Sequence, residues 1–233
     1  MEEILTQAAG SGWAFYVILA LSVIMVRIPV IGKYFRLVAT MIHESAHAFT
    51  AFILSGEIIS VNLFSDASGT TVTKSKNKTS QALVAFAGYP LTSLTALLLL
   101  YLLHNGFEKY VLFILVSITM LLIVMYIRNT FGLIWSISFF ILNISLLYFD
   151  NMLINYYFNT LYSTSLLAES FLSTLVLLRL SYSSSKKAGD ASNLMKITGI
   201  PAILWSLLFV VIAAITVYFA AVFTFPPLRN LNV

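Results

Sequence analysis

An H-E-x-x-H pattern, formed by His43, Glu44 and His47, lies within an apolar run at residues 34–56. On an α-helix, residues four apart lie on one face, about 6 Å apart along the axis, so the two imidazoles can bind one metal ion. Glu44 lies beside that face, where it can reach a metal-bound water without being a ligand. This is the arrangement of zinc proteases, in which the metal acidifies a water and the carboxylate accepts its proton.

The pattern is short enough to arise by chance on a solvated helix, so its surroundings matter. The alternative is structural: the two histidines bond helix carbonyls across a bundle, and Glu44 pairs with one of them. Each ionisable group within a membrane span costs on the order of 2.5–3.5 kcal/mol on insertion scales. Because that cost applies here to a cluster of groups in one apolar segment, we interpret the pattern as a metal site.

The composition predicts an integral membrane protein. Of 233 residues, 60% are hydrophobic and 9% are charged, whereas soluble domains have about 25% charged residues. The chain lacks the polar surface to cover itself in water, and we expect a single membrane domain over residues 1–233. We assign the net charge of +4 to loops that flank the membrane, and nucleic-acid binding is not indicated. The absence of cysteine leaves His, Asp and Glu as metal ligands.

The apolar segments predict an all-α polytopic membrane protein, with about seven transmembrane helices and a short membrane-adjacent β-hairpin after the second. A membrane helix needs about 20 apolar residues. The predicted spans are residues 13–31, 34–56, 81–103, 110–127, 131–149, 165–180 and 201–223. Residues 150–164 are predicted as an interfacial loop and residues 181–199 as a polar loop.

Residues 57–75 differ in character from the spans. Residues 58–64 are β-branched and partly alternating, residues 65–69 have the composition of a turn, and residues 70–73 resemble a second short strand. A plain polar loop is the alternative. We expect a β-hairpin beside the membrane, directly after the motif helix.

A catalytic zinc has three protein ligands and one open position. The candidates for the third ligand are His104, Asp66, Asp150, Glu169 and Asp190. His104 and Asp150 are predicted on the side of the membrane opposite the hairpin, and Asp66 lies in a turn that an aspartate commonly stabilises. Glu169, within a predicted span, is the rival of Asp190, which follows Gly189 in a loop that can reach the metal. We prefer Asp190; an ordinary exposed loop aspartate is the alternative.

The basic residues indicate an orientation in the membrane. With seven spans, one side holds Lys74, Lys76, Lys78, Arg128, Arg179, Lys186, Lys187 and Lys196, and the other holds Arg27, Lys33, Arg36, Lys109 and Arg229. The excess favours the first side as cytoplasmic, which places the hairpin and the Asp190 loop on the cytoplasmic face. We expect the plasma membrane of a prokaryote, with the active site toward the cytoplasm.

Further motifs occur in a fixed order between Ile42 and Trp205. They are His43-Glu44-Ser45-Ala46-His47, Gly56 with the following strand and the Ser68-Gly69-Thr70 turn, Ala87-Gly88-Tyr89-Pro90-Leu91, Arg128-Asn129-Thr130-Phe131-Gly132, Gly189-Asp190-Ala191, and Thr198-Gly199-Ile200-Pro201-Ala202-Ile203-Leu204-Trp205. With these motifs the chain resembles the M50 group of intramembrane zinc metalloproteases, the site-2 proteases, and most closely their M50B-like branch.

The resemblance implies zinc held by His43, His47 and Asp190, with Glu44 activating a water that cleaves a peptide bond in a substrate's membrane segment. It also implies that the strand region beside the site helps to hold an unwound substrate. Because an unwound segment must satisfy its backbone hydrogen bonds, we expect it to pair with the first predicted strand. The predicted substrate contacts there are Ile58, Ile59, Val61 and Leu63.

The resulting hypothesis is a Zn²⁺-dependent intramembrane endopeptidase that acts on a membrane-protein substrate with a transmembrane segment, within the lipid bilayer. Water would reach the site through a cytoplasmic cavity. The alternative is a catalytically inactive relative that binds or regulates other membrane proteins. Three histidines are too few for a histidine-rich di-iron oxidase, and no internal repeat supports a transporter. The oligomeric state is left open.

Overall fold

The computed structural model describes residues 13–29 and 31–226; Arg229, one of the basic residues used above to infer orientation, lies outside them. The described chain is mostly helical. Its elements are α1 (Trp13–Met25), α2 (Ile31–Ile53), β1 (Glu57–Leu63), β2 (Gly69–Lys74), α3 (Lys78–His104), α4 (Glu108–Met125), α5 (Thr130–Phe149), α6 (Met152–Ser183), α7 (Gly189–Thr198) and α8 (Ala202–Phe223). A short 3₁₀ turn at Ser185–Lys187 joins α6 to α7.

Five of these helices, α3, α4, α5, α6 and α8, are long and apolar enough to cross a membrane. They support the prediction of an integral membrane protein, but the count of seven spans is not confirmed. α1 has 13 residues and ends before Pro29, because a proline disfavours helical conformation in the residue before it. α2 has 23 residues and is not among the five helices. It carries the charged residues Lys33, Arg36 and Glu44 together with the histidines of the motif.

Two segments predicted as loops are helical. Within the predicted loop at residues 150–164, residues 152–164 form the first part of α6. The helix begins after Asn151 because that side chain caps it by accepting a hydrogen bond from the Ile154 N–H (3.0 Å). The predicted span at residues 165–180 is therefore the second part of a 32-residue helix. Residues 181–199 contain α7, which ends at Gly199 in the left-handed conformation (φ +77°).

α3 and α6 lie at the centre of the bundle. α3 packs against α2, α6, α7 and α8, and α6 also packs against α1, α2 and α8. A separate apolar cluster joins α7 to its neighbours: Ala191 and Leu194 are fully buried against Ala85 of α3 and Phe209 of α8. This cluster holds α7 against α3 and α8.

The predicted hairpin is confirmed, and it folds back along α2. β1 and β2 pair antiparallel, with Val61 opposite Thr71. The Thr71 side chain bonds Glu44 in the middle of α2, and the Ala67 carbonyl in the turn accepts a hydrogen bond from the Thr40 hydroxyl (2.7 Å). From the C-terminal end of α2 back to Thr40 is about 20 Å at 1.5 Å per residue. The hairpin therefore lies at the same depth as the H-E-x-x-H motif.

The turn between α4 and α5 binds the outer edge of β1. The Asn129 amide donates to the Leu63 carbonyl (2.6 Å) and accepts from the Leu63 N–H (3.2 Å). The Val61 N–H donates to the Tyr126 carbonyl (2.9 Å). Asn129 thus acts as a short substitute strand, which gives the Arg128–Gly132 motif a structural role and closes one edge of the hairpin.

Candidate metal centre

Three possible ligand atoms converge between α2 and α7. His43 Nε2 lies 3.0 Å from Asp190 Oδ2 and 3.1 Å from His47 Nε2. His47 Nε2 lies 3.3 Å from the same Asp190 oxygen. Within residues 13–29 and 31–226, these side chains form a group whose ligand atoms all lie within 4.8 Å of one another. The structure therefore brings together the three residues that the sequence analysis preferred as ligands.

The donor set and its spacing fit zinc. Catalytic zinc sites use His nitrogens and carboxylate oxygens at about 2.0–2.2 Å from the ion, with one position left open. Ligand atoms at that distance from a tetrahedral ion are separated from each other by roughly 3.3 Å, and the three atoms here have a similar spacing. Two imidazoles and one carboxylate are thus arranged as a zinc ion requires.

The orientation of His47 is set by α3. Its Nδ1 donates to the main-chain carbonyl of Val84 (2.7 Å), and its ring is 7% exposed. A hydrogen bond at one ring nitrogen determines the tautomer and leaves the other nitrogen to bind a metal. Nε2 of His47 is therefore presented to the centre before any ion binds.

α3 can approach the two histidines because residue 88 is glycine. A Cβ atom at Gly88 would lie 2.6 Å from His43 Nε2 and 2.7 Å from His47 Cε1, closer than non-bonded atoms come. The next residue, Tyr89, places its ring edge-on to the His43 imidazole, with centroids 4.7 Å apart. The Ala87–Leu91 motif therefore packs directly on the candidate ligands.

Asp190 lies in the first turn of α7 rather than in a flexible loop. Gly189 before it has φ +40°, a conformation that favours glycine. The neighbouring Ala188, Ala191 and Leu194 are fully buried, so packing of α7 holds the carboxylate in place. Asp190, predicted from the sequence as a ligand in a loop, therefore lies beside the histidines on a packed helix, and its binding of a metal stays a prediction.

Glu44, the candidate general base, is 5% exposed and is held by the hairpin. The Thr71 hydroxyl lies 2.6 Å from Glu44 Oε2 and 3.0 Å from the Glu44 main-chain carbonyl. A Cβ atom at Gly69 would lie 2.7 Å from Glu44 Cγ, so β2 also packs tightly against this side chain. Thr71 was not predicted from the sequence, because strand alternation shows which face a residue occupies but not which residue of α2 it meets.

The other candidates for the third ligand have different partners. Glu169 Oε1 accepts from Arg36 Nε (3.2 Å), and its Oε2 lies 3.7 Å from Arg27 Nη2. Asp66 accepts two hydrogen bonds from Ser68 in its turn, Asp150 pairs with Lys109 (2.7 Å), and His104 Nδ1 lies 3.1 Å from the Thr224 carbonyl. The rival Glu169 is thus neutralised by arginines and does not join the ligand group.

The site opens into a cavity of about 910 Å³, within the range of about 300–1,000 Å³ common for ligand sites. His43, Glu44, His47 and Asp190 all line it. The remaining walls come from β2, α3 and α6. The cavity gives water and an extended peptide segment room beside the candidate ligands.

The strand that lines the cavity is β2, whereas the substrate contacts were predicted on β1. No residue of β1 is among those that line the described cavity. Val61 and Leu63 are completely buried, whereas Ile59 is 50% exposed and Ile58 is half-buried. Only the end of β1 at Val61 and Leu63 is enclosed between β2 and the α4–α5 turn. The four predicted contacts therefore do not line the described cavity, and substrate binding by β1 stays a prediction.

The chain matches the model of one protein family, described as Peptidase M50B-like, over residues 16–220. That range contains both histidines, Glu44, Asp190 and the entire hairpin. No curated protein and no solved structure matches the chain.

Zinc content of purified variants distinguishes the two candidate carboxylates. His43→Ala and Asp190→Ala each remove a converging ligand atom, and we expect zinc affinity to fall by about tenfold to a hundredfold or more. Glu169→Gln is the matched control, since Glu169 lines the same cavity but pairs with arginines. Inductively coupled plasma mass spectrometry should show wild-type zinc in this control. Zinc retained in Asp190→Ala and lost in Glu169→Gln would make Glu169 the ligand.

Gly88→Ala should lower zinc content, because the added methyl group displaces the His43 and His47 rings. The same substitution raises intrinsic helix stability by about 0.5–1 kcal/mol, so a loss of zinc cannot be ascribed to a weaker α3. The measurement is zinc content together with the thermal unfolding temperature. Unchanged zinc in a folded Gly88→Ala protein would show that the close approach of α3 is not needed.

Proposed function

The chain belongs to the M50B-like peptidase family, and from this premise we propose that it is a zinc-dependent intramembrane endopeptidase. Its substrate would be a membrane protein, cleaved in or near a transmembrane segment. The observation that carries the proposal is the convergence of His43, His47, Asp190 and Glu44 on one cavity inside a bundle of apolar helices. Structural hydrogen bonding alone would not require four ionisable side chains at one place.

His43, His47 and Asp190 would hold the zinc. Bound there, zinc would lower the pKa of a water molecule and polarise the scissile carbonyl. Glu44 accepts a proton from the attacking water and returns it to the leaving amide nitrogen. One water is consumed, the peptide C–N bond breaks, and both protons of the water end on the leaving nitrogen, so the products are a carboxylate and an ammonium group.

β2 offers the edge to which an unwound substrate can add. Val61 and Leu63 direct their N–H groups toward the α4–α5 turn, so the pairs Val61–Thr71 and Leu63–Gly69 are those without mutual hydrogen bonds. The backbone groups of Gly69 and Thr71 therefore point away from β1, on the side where β2 lines the cavity. A substrate strand there would replace its helical hydrogen bonds by β-addition.

The proposed orientation rests on the excess of basic residues on one side of the membrane. Lys74 and Lys196 of that side line the cavity, and so does Arg36, which was assigned to the other side. A cytoplasmic opening in the plasma membrane of a prokaryote accords with the positive-inside rule.

Glu44→Gln should retain zinc and lose cleavage, because glutamine keeps the size of the side chain but cannot accept the proton. General-base catalysis contributes about 10²–10⁴-fold. The assay uses purified protein in liposomes with a single-span peptide that carries a central Gly-Pro pair and a fluorophore and quencher at its ends. Glu57→Gln, in β1, is the matched control. Cleavage by Glu44→Gln at the wild-type rate would contradict the role of base, and zinc-loaded wild type without cleavage would favour an inactive relative.

Cross-linking can identify the strand that the substrate meets. The chain contains no cysteine, so a single introduced cysteine is a unique site for attachment. Val72 on β2 and Ile59 on β1 have similar exposed fractions, 44% and 50%, but of the two only Val72 lines the cavity. In the Glu44→Gln background, we expect Val72→Cys to cross-link a cysteine-containing substrate peptide and Ile59→Cys not to do so. The reverse result would restore β1 as the substrate strand.

A further inference from the structure

Thr71 contacts the candidate general base from a strand that faces the substrate cavity. Its hydroxyl lies 2.6 Å from Glu44 Oε2, a length typical of a strong hydrogen bond to a carboxylate. The same oxygen lies 3.0 Å from the main-chain carbonyl of Glu44. The single proton of the hydroxyl is directed at the nearer acceptor, the carboxylate, and the main-chain carbonyl is a more distant second acceptor.

The two sides of Thr71 have different roles because side chains stand perpendicular to the plane in which a strand forms hydrogen bonds. Gly69, Thr71 and Thr73 are the half-buried positions of β2, and Thr70, Val72 and Lys74 alternate with them as exposed ones. The Thr71 side chain is directed toward α2, while its N–H and carbonyl point away from β1. One residue therefore adjoins both Glu44 and the open edge of the sheet.

Glu44 depends on this contact for its orientation. Within the described residues, Thr71 supplies the hydrogen bond to its carboxylate, and Gly69 confines its Cγ. The side chain has three rotatable bonds, so without a partner it can adopt several rotamers in the cavity. With Oε2 bound to Thr71, the carboxylate is held in one orientation and Oε1 is left for water.

We propose that Thr71 is a positioning residue that orients Glu44 and couples that orientation to the presence of a substrate strand on β2. The inference rests on the proposed function. A peptide that pairs with the backbone at Gly69 and Thr71 makes β2 a central strand, which restricts its motion. The Thr71 hydroxyl passes this restriction to Glu44, so that the base is best placed when a substrate is bound.

If Thr71 only positions Glu44, Thr71→Val should change kcat and leave KM nearly unchanged. β-Addition uses backbone groups, which Thr71→Val retains, so KM should stay within about twofold of wild type. Without the Thr71 hydroxyl, the Glu44 carboxylate can adopt other rotamers. A misplacement of a reacting group by about 1 Å can lower the rate 10²-fold. We therefore expect kcat of Thr71→Val to fall by about tenfold to a hundredfold. Thr71→Ser, which keeps the hydroxyl, should restore most of kcat.

The experiment uses full-length, zinc-loaded protein in liposomes with the fluorogenic Gly-Pro peptide. Thr95→Val is the matched control, because the Thr95 hydroxyl bonds the Leu91 carbonyl of its own helix (2.8 Å) and the residue does not line the described cavity. A second readout does not need turnover: acetohydroxamate binds zinc and donates a hydrogen bond to the base, so its affinity should fall in Thr71→Val and be unchanged in Thr95→Val.

Each outcome is decisive. Wild-type kcat in Thr71→Val, a loss that Thr71→Ser does not restore, or loss of zinc from Thr71→Val overturns the positioning role. A rise in KM alone would make Thr71 a substrate contact instead, which also overturns it. The proposed function itself fails if wild type does not cleave the peptide and Glu44→Gln binds acetohydroxamate as tightly as wild type does. That result is distinct from a failure of the positioning role of Thr71, which requires an active wild type.

Discussion

The central physical constraint is that charged and polar side chains inside an apolar bundle must satisfy one another. An unpaired buried charge is so costly that it loses its charge or finds a partner. Here the partners are specific: Asp190 meets two imidazoles, Glu44 meets the Thr71 hydroxyl, and Glu169 meets Arg36. α2, α6, α7 and β2 each supply a group to one of these sets, so the packing of these elements around the cavity brings each ionisable group to its partner.

The close packing of α3 against α2 holds the two histidines of the site in place. Gly88 allows the α3 backbone to lie against both imidazoles, and the Val84 carbonyl one turn earlier fixes His47. A larger residue at position 88 would separate the helices and remove both effects. The site is therefore built by backbone atoms and by the absence of a side chain, as much as by the residues that carry the chemistry.

The local features of the sequence predicted much of this arrangement. The H-E-x-x-H spacing depends only on helix geometry, so His43 and His47 could be placed on one face without a structure. Alternation and turn residues likewise predicted both strands of the hairpin. Asp190 was preferred because it follows Gly189 on the predicted side of the hairpin, although its helix was not anticipated.

What the sequence did not reveal depends on contacts between distant segments. The two edges of the hairpin look alike in sequence. The bonds of Leu63 with Asn129 and of Val61 with Tyr126, which the sequence does not reveal, show that β1 is closed. Thr71 resembles any strand threonine until α2 is placed beside it. The asparagines and tyrosines of residues 150–164 suggested a loop, but tertiary packing of Asn155, Asn159 and Tyr162, all buried, keeps them helical.

The sealed outer edge of β1 has a consequence for selectivity. A sheet with one accessible margin recognises amide groups, which every polypeptide has, rather than particular side chains. For an enzyme of the proposed kind, discrimination among membrane segments would then depend on how readily each one uncoils. A substrate segment would then be selected by the low stability of its helix rather than by a consensus sequence.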